Sequence, residues 1–345
     1  MTSNVRGLSG RVNRCIWGCS TSALLLLATS GAASAATVTY TTLDPPGSTR
    51  TIAASINGHG KVAGNYVAGG VVHGFVYSNG TYATLDPPGS GATVATGIND
   101  NGQVTGYYET STSIDVFGFV YSHGAYVTLQ VPGAVATYPT GINDRGQVTG
   151  TYQISSASGY AEYAFLYTGG AYITLSPPGS SAPVATGINA HGDVAGYYGA
   201  GGTLLGFVYH AGVYTTLSPP ASIETLANGL NDLGELCGTY SAGGVAYGFV
   251  YRNGAYTTLA VPGAIETGAT ALNDRGQATG TYTAATGNTY GFFYGSGTYT
   301  TLNLPGSTYN NPTATNWNGQ VAGWYQDAAG TVHGFVAAVP EAPDE

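Results

Sequence analysis

The chain has 345 residues, of which 55 are Gly, 28 Tyr and 16 Pro, and charged residues make up only 7%, against roughly 25% in an ordinary soluble domain. That composition excludes a coiled coil, a long-helix bundle and a charge-rich disordered chain, while 43% hydrophobic residues suffice for one large core or two small ones. The formal net charge of −9 argues against nucleic acid and anionic membrane surfaces as partners, since both demand basic side chains.

At the N-terminus, Arg6, Arg11 and Arg14 precede an apolar run over residues 23–28, and Ala33-Ser34-Ala35 forms a small-residue cleavage site. This is the order of a secretory signal peptide over residues 1–35, and its apolar run is too short for a membrane span. Cleavage after Ala35 removes Cys15 and Cys19 and leaves five basic against 17 acidic residues, a net charge of −12. No membrane span is then expected, and a secreted or surface-held monomer is. Cys237 becomes the only cysteine, so no intramolecular disulfide is expected, and it reads as a small strand hydrophobe.

The rest of the chain repeats. Segments like Ile98-Asn99-Asp100-Asn101-Gly102-Gln103-Val104-Thr105-Gly106 place Asn at 57, 99, 143, 189, 231, 273 and 316, with spacings of 42, 44, 46, 42, 42 and 43. Two further markers recur seven times. One is a Phe in Gly-Phe or Ala-Phe, at 75, 119, 165, 207, 249, 292 and 335; the other is Thr-Leu, from Leu43 to Leu302.

Each copy supplies four strand-like runs. In the second copy these are 94–98, 103–108, 117–121 and 125–129, here called first to fourth. Asn-Asp-x-Gly between the first two, and a Gly-ending turn such as Ser78-Asn79-Gly80 between the last two, are hairpin signals. Pro-Gly segments lead on to the next copy. Runs such as Gly118-Phe119-Val120-Tyr121 present bulk to both faces, as a sheet covered on both sides requires. The expected fold is all-β, a seven-bladed β-propeller of four-stranded repeats of about 43 residues over 36–338. A lone strand at Thr39–Leu43 precedes the first copy and the last copy lacks its fourth strand, so the N-terminal strand is expected to complete the last blade and close the ring. Residues 339–345 form an acidic tail.

The repeat Gly-Ile-Asn-Asp-x-Gly-Gln-Val-x-Gly, followed after a variable stretch by His-Gly-Phe-Val-Tyr, resembles the HAF-repeat family of bacterial extracellular proteins. The resemblance covers residues 38–337. His73-Gly74-Phe75, His333-Gly334-Phe335 and Tyr163-Ala164-Phe165 stand where the family has His-Ala-Phe. It implies a secreted or surface propeller-like protein and brings no catalytic residues. Val339-Pro340-Glu341-Ala342-Pro343 resembles the opening of a PEP-CTERM sorting tail whose hydrophobic helix and basic end are missing.

Candidate site residues lie where the chain passes from one copy to the next. Counting from the Pro-Gly turn gives Arg50, Ala92, Ala136, Ala182, Glu224, Glu266 and Tyr309 as equivalent positions near an axial funnel. Glu224 and Glu266 fit three roles: solvated rim residues, ligands for Ca²⁺, or an acid and base pair acting on a sugar bond. Arg50, Tyr309 and the loop residue Tyr160 are further ligand contacts to test. His73 and His333, in the first and last copies, are a candidate metal pair or simply pattern residues. The Asn-Asp-x-Gly turns miss calcium-loop spacing and read as hairpins. Recurrent strand Tyr residues read as packing between blades, with hydroxyls at the sheet edge. The expected function is non-enzymatic binding or surface structure, with an extracellular polysaccharide as the ligand class. The alternative is a polysaccharide-active hydrolase or lyase at the funnel.

Overall fold

The computed structural model describes residues 37–340 except 113, 114 and 158; the expected signal segment and the end of the acidic tail lie outside the described residues. Among the described residues every regular element is a strand, and 28 strands pair into sheets of 12, 8 and 8. Strand β1 (Thr39–Leu43) comes first. The others form groups β2–β5 (50–85), β6–β9 (90–129), β10–β13 (136–175), β14–β17 (181–217), β18–β21 (224–259), β22–β25 (264–302) and β26–β28 (307–338). Consecutive strands within a group pair antiparallel, and single parallel bridges such as Leu204 to Glu224 join some neighbouring groups. The three-stranded last group takes β1 as its fourth strand, with Thr39 opposite Ala338 and Leu43 opposite Gly334.

Local chemistry explains the elements. The turn joining the third and fourth strands of a group needs two residues at positive φ to match strand twist, and Asn79-Gly80 (48° and 82°) and His123-Gly124 (50° and 86°) supply them. The fourth strand of the second group runs Ala125–Leu129, as the sequence predicts, whereas the first starts earlier than expected, at Ser90. The Pro-Pro-Gly turn ends at Gly89, and pairing with Thr110 begins at once. Four of the seven first strands also slip register near their start, as between Ser90 and Ala92, and each of the seven slips near its end, as between Ala95 and Gly97. The slip presses its backbone onto the second strand: a Cβ on Gly106 would meet the Val94 carbonyl at 2.1 Å, and one on Gly150 the Tyr138 carbonyl at 2.1 Å. Glycine is therefore obligatory in Val-x-Gly.

The core follows the same repeat. All seven marker Phe side chains are fully buried, as are the marker Leu side chains. They pack across groups; Leu43, Phe75 and Ala322, from the two ends of the chain, share one cluster.

Hydrogen bonds between groups form cycles. Each marker Asn donates its Nδ2 to the backbone carbonyl of the next marker Asn, from Asn57 to Asn99 at 2.9 Å and on through 143, 189, 231 and 273 to Asn316 at 2.8–3.1 Å. Asn316 donates to Asn57 at 2.9 Å, which returns the cycle to its start. Three residues earlier, the side chains of Thr96, Thr140, Thr186, Asn228, Thr270 and Thr313 donate to the neighbouring first strand, the last reaching Ala53. Further out, the hydroxyls of the fourth-strand Tyr residues accept a backbone N–H from the preceding group, as Tyr214 does from Ser176, Tyr256 from Ser218 and Tyr40 of β1 from Asn303. These hydroxyls therefore bond protein at the sheet edge. Second-strand Tyr hydroxyls bond a Thr on the fourth strand, for example Tyr152 with Thr174 at 2.9 Å.

The Thr cycle has a single gap, where Ala54 has no donor. Ala54→Thr places a hydroxyl within the same register to meet the Ala95 carbonyl. It should stabilise the protein by about 0.5–1.5 kcal/mol, read as a raised midpoint in denaturant at unchanged slope.

Candidate functional site

The first strands β2 (Arg50–Ile56), β6 (Ser90–Ile98), β10 (Ala136–Ile142), β14 (Ser181–Ile188), β18 (Glu224–Leu230), β22 (Ala264–Leu272) and β26 (Ser307–Thr315) neighbour one another in that order, and β26 neighbours β2. Their two ends differ chemically and lie about 20 Å apart at ~3.3 Å per residue.

At the Asn end the turns line an open pocket of about 230 Å³. Its walls include the marker Asn residues, an inner tier such as Ile98 and Leu272, and the carboxylates of Asp100, Asp144, Asp232 and Asp274. Each Asn Oδ1 accepts amide protons of its own turn, as Asn143 does from Arg145 and Gln147. The carboxylates accept the backbone N–H of the preceding turn: Asp100 from Gly58 at 2.6 Å, Asp144 from Asp100 at 2.8 Å, and Asp274 from Asp232 at 2.8 Å. Burial is the main force pushing the Asp274 carboxyl above the usual carboxylate range; the negative charges of Asp232, Glu235 and Asp100 add to it against the Asp232 N–H. Trp317, half exposed, replaces Asp in the last group and lies over Gly58, where a Cβ would overlap its indole. Among the described residues no group of three or more His, Cys, Asp and Glu gathers as a metal site.

The opposite end carries the positions singled out from the sequence. Arg50, Ala92, Ala136, Glu224, Glu266 and Tyr309 face Val67, Glu109, Gln153, Ser241, Thr283 and Gln326 on the second strands, one register position in six groups. Ala182 stands at a register shift with φ of 44°. Glu224, Glu266, Tyr309 and Arg50 thus sit on four successive strands, and alanines occupy the other three. Glu224 and Arg50 are exposed; Glu266 is half-buried, and desolvation raises its pKa. Tyr309 stacks on Trp324, ring centroids 5.2 Å apart at 23°. Beside it Asn310 is fully buried with neither amide atom paired, where five groups have Thr. Tyr160 is exposed on the hairpin of β12 (Gly159–Thr168), away from these four strands.

The histidines have separate partners. His73 Nδ1 meets Asp86 Oδ2 at 2.7 Å, and His333 Nδ1 meets Asp44 Oδ2 at 2.8 Å. The sequence reading missed these His–Asp hydrogen bonds, although Asp after Thr-Leu occurs in the same copies as the partner His. It also missed the Asn cycle; the clue is that Asn never varies while its neighbouring Asp gives way to Gly58, Ala190 and Trp317.

No protein-family model matches the sequence, and no curated protein does. Among solved structures, a catalytically inactive variant of virginiamycin B lyase from Staphylococcus aureus is similar at a TM-score of 0.53 and 12% identity, covering 87% of this chain and 99% of that one. The β-propeller domain of the Trilobed protease from Pyrococcus furiosus, which has an open velcro topology, is similar at 0.58 and 8%, covering 84% and 94%. These likenesses place the chain among all-β, propeller-like folds.

Cys237 is fully buried, and burial pushes its thiol up to about 12 despite an opposing backbone hydrogen bond at Gly229, which keeps it a packed thiol. The peptide carrying Cys237 should resist a thiol reagent at pH 8 in the native protein and label fully after unfolding. Native labelling at the unfolded rate would contradict its placement.

Proposed function

We propose that the seven groups are the blades of a closed propeller, and that the protein is exported and acts as a non-enzymatic binding or structural module for an extracellular polysaccharide. The reading rests on the asymmetry at the end opposite the Asn cycle, where Glu224, Glu266, Tyr309 and Arg50 share one arc and alanines line the rest. Carboxylates accept from sugar hydroxyls, a guanidinium donates to them, and stacked aromatic rings offer a face to a pyranose. The scaffold is stiff because its turns are saturated with hydrogen bonds, and this favours binding with little ordering cost. Binding to a panel of polysaccharides, with and without Ca²⁺, tests the reading. At least one should bind, and the double variant Glu224→Gln, Glu266→Gln should weaken it tenfold or more. Absence of binding across the panel contradicts it.

One observation favours the enzymatic alternative, a hydrolase or lyase at the same arc. Desolvation raises the pKa of Glu266, the direction a general acid needs, and Glu224 is the neighbouring carboxylate. Product release from any bound polysaccharide, abolished by Glu266→Gln with binding retained, is the outcome that would replace the binding reading.

A further inference from the structure

The bonds that hold β1 and the residue after it are not equivalent in chemistry. The backbone ladder to β28 (Val332–Ala338), the Tyr40 bond to Asn303, the Thr42 contact with Tyr325 and the bond of the Asp44 N–H to the Tyr82 hydroxyl are not ion pairs. The remaining one is the pair between the Asp44 carboxylate, which follows β1, and His333 on β28, 289 residues away in sequence. His333 lies between two carboxylates, with Nδ1 2.8 Å from Asp44 Oδ2 and Nε2 3.4 Å from Asp327 Oδ2. A carboxylate only accepts, and neutral imidazole has a single N–H, so serving both requires the imidazolium.

We propose that His333, Asp44 and Asp327 form a pH-sensitive clasp on the N-terminal strand, tight when His333 is charged and loosened when it is neutral. His73 and Asp86 form the same pair inside the first group, where strands β4 (Val71–Ser78) and β5 (Thr81–Leu85) are already joined by a two-residue turn. There the pair joins a hairpin; at β1 it joins chain ends. The clasp also roots the segment 44–50 that leads to Arg50 of the proposed binding arc.

The groups facing His333 are Asp44 beyond β1, Asp327 and the stacked Tyr325 ring (5.0 Å) on β27 (Gln320–Asp327), and the start of β2, whose Arg50 pairs through its backbone with Val332. Burial pulls the imidazole down, but the two carboxylates outweigh it and its pKa is raised above 6.5. Asp327 is held below 3.8, first by the Thr331 N–H and further by His333 and Ala329. The His333 contribution is therefore full below about pH 6.5 and lost as pH rises through the raised value. The Asp327 contribution is present above pH 3.8 and lost as pH falls through its lowered value.

Hydrogen exchange of the full protein, followed on the peptide covering β1 at pH 5.5 and pH 8.5 and corrected for intrinsic rates, tests the clasp. Protection of β1 should fall about three- to tenfold at the higher pH, while strands distant from it keep theirs. His333→Gln should remove the pH response and His73→Gln should preserve it. Asp44→Asn, which leaves the imidazole only Asp327, gives a second reading that does not depend on tolerance of change at His333. Equal protection at both pH values, or a response that survives in His333→Gln and Asp44→Asn, overturns the clasp.

Discussion

The structure depends on one side chain that serves two groups. A marker Asn has one acceptor oxygen and two amide protons. The oxygen closes its own hairpin through two backbone amides in six copies and through one at Asn99. The protons reach the next group's carbonyl and, in six of the seven copies, the side chain four residues on, as Asn143 does with Asn189 and Gln147. All these atoms are buried or nearly so, which makes an unpaired one expensive, about 1–3 kcal/mol. A shorter or branched substitute cannot span both tasks, so each turn is fastened to the next and Asn is found at all seven positions. The neighbouring Asp fastens the same pair of turns from the solvent side, where loss is cheaper, and it is replaced in three copies.

Packing depends on that fastening. The register slip that brings each first strand inward leaves no room beside it for a Cβ, so Gly stands opposite, and the space beyond is filled by the marker Phe. Tyr from the fourth strand then ties the outer rim, accepting an amide proton from the preceding group. The chain ends take part on equal terms: Asn316, Thr313 and Tyr40 make, between the last group and the first or between β1 and its neighbour, the bonds their counterparts make elsewhere. Repeat arrays ordinarily lose stability at free ends; these bonds give the last group the same kind of partner the other groups have.

Much of this was legible because three markers recur at nearly constant spacing and strand period needs few residues to show. The four strands per copy, the lone first strand and the equivalence of Glu224 with Glu266 all follow from counting. Partners across groups were not legible, because a spacing of 42–46 residues says nothing about which atoms meet. For that reason the Tyr hydroxyls are legible only as lying at the sheet edge, and the Asn side chain only as part of its own hairpin. The His and Asp pairs were hidden differently, since at the chain ends they join residues 44 and 333. Site chemistry was the least legible part: two Glu, a Tyr and an Arg in one arc look like exceptions to a repeat until the register aligns them.

The central claim is that the Asn cycle closes, and matched substitutions at Asn143 and Asn316 test it most directly. Both side chains bond their own turn and a Gln four residues on, so they differ only in whether the carbonyl they reach belongs to the next group or to the first. In equilibrium unfolding, Asn143→Ala and Asn316→Ala should destabilise the protein equally, within about 0.5 kcal/mol. An Asn316→Ala cost smaller by about 1 kcal/mol or more would mean that the bond to Asn57 is not made and the array is open.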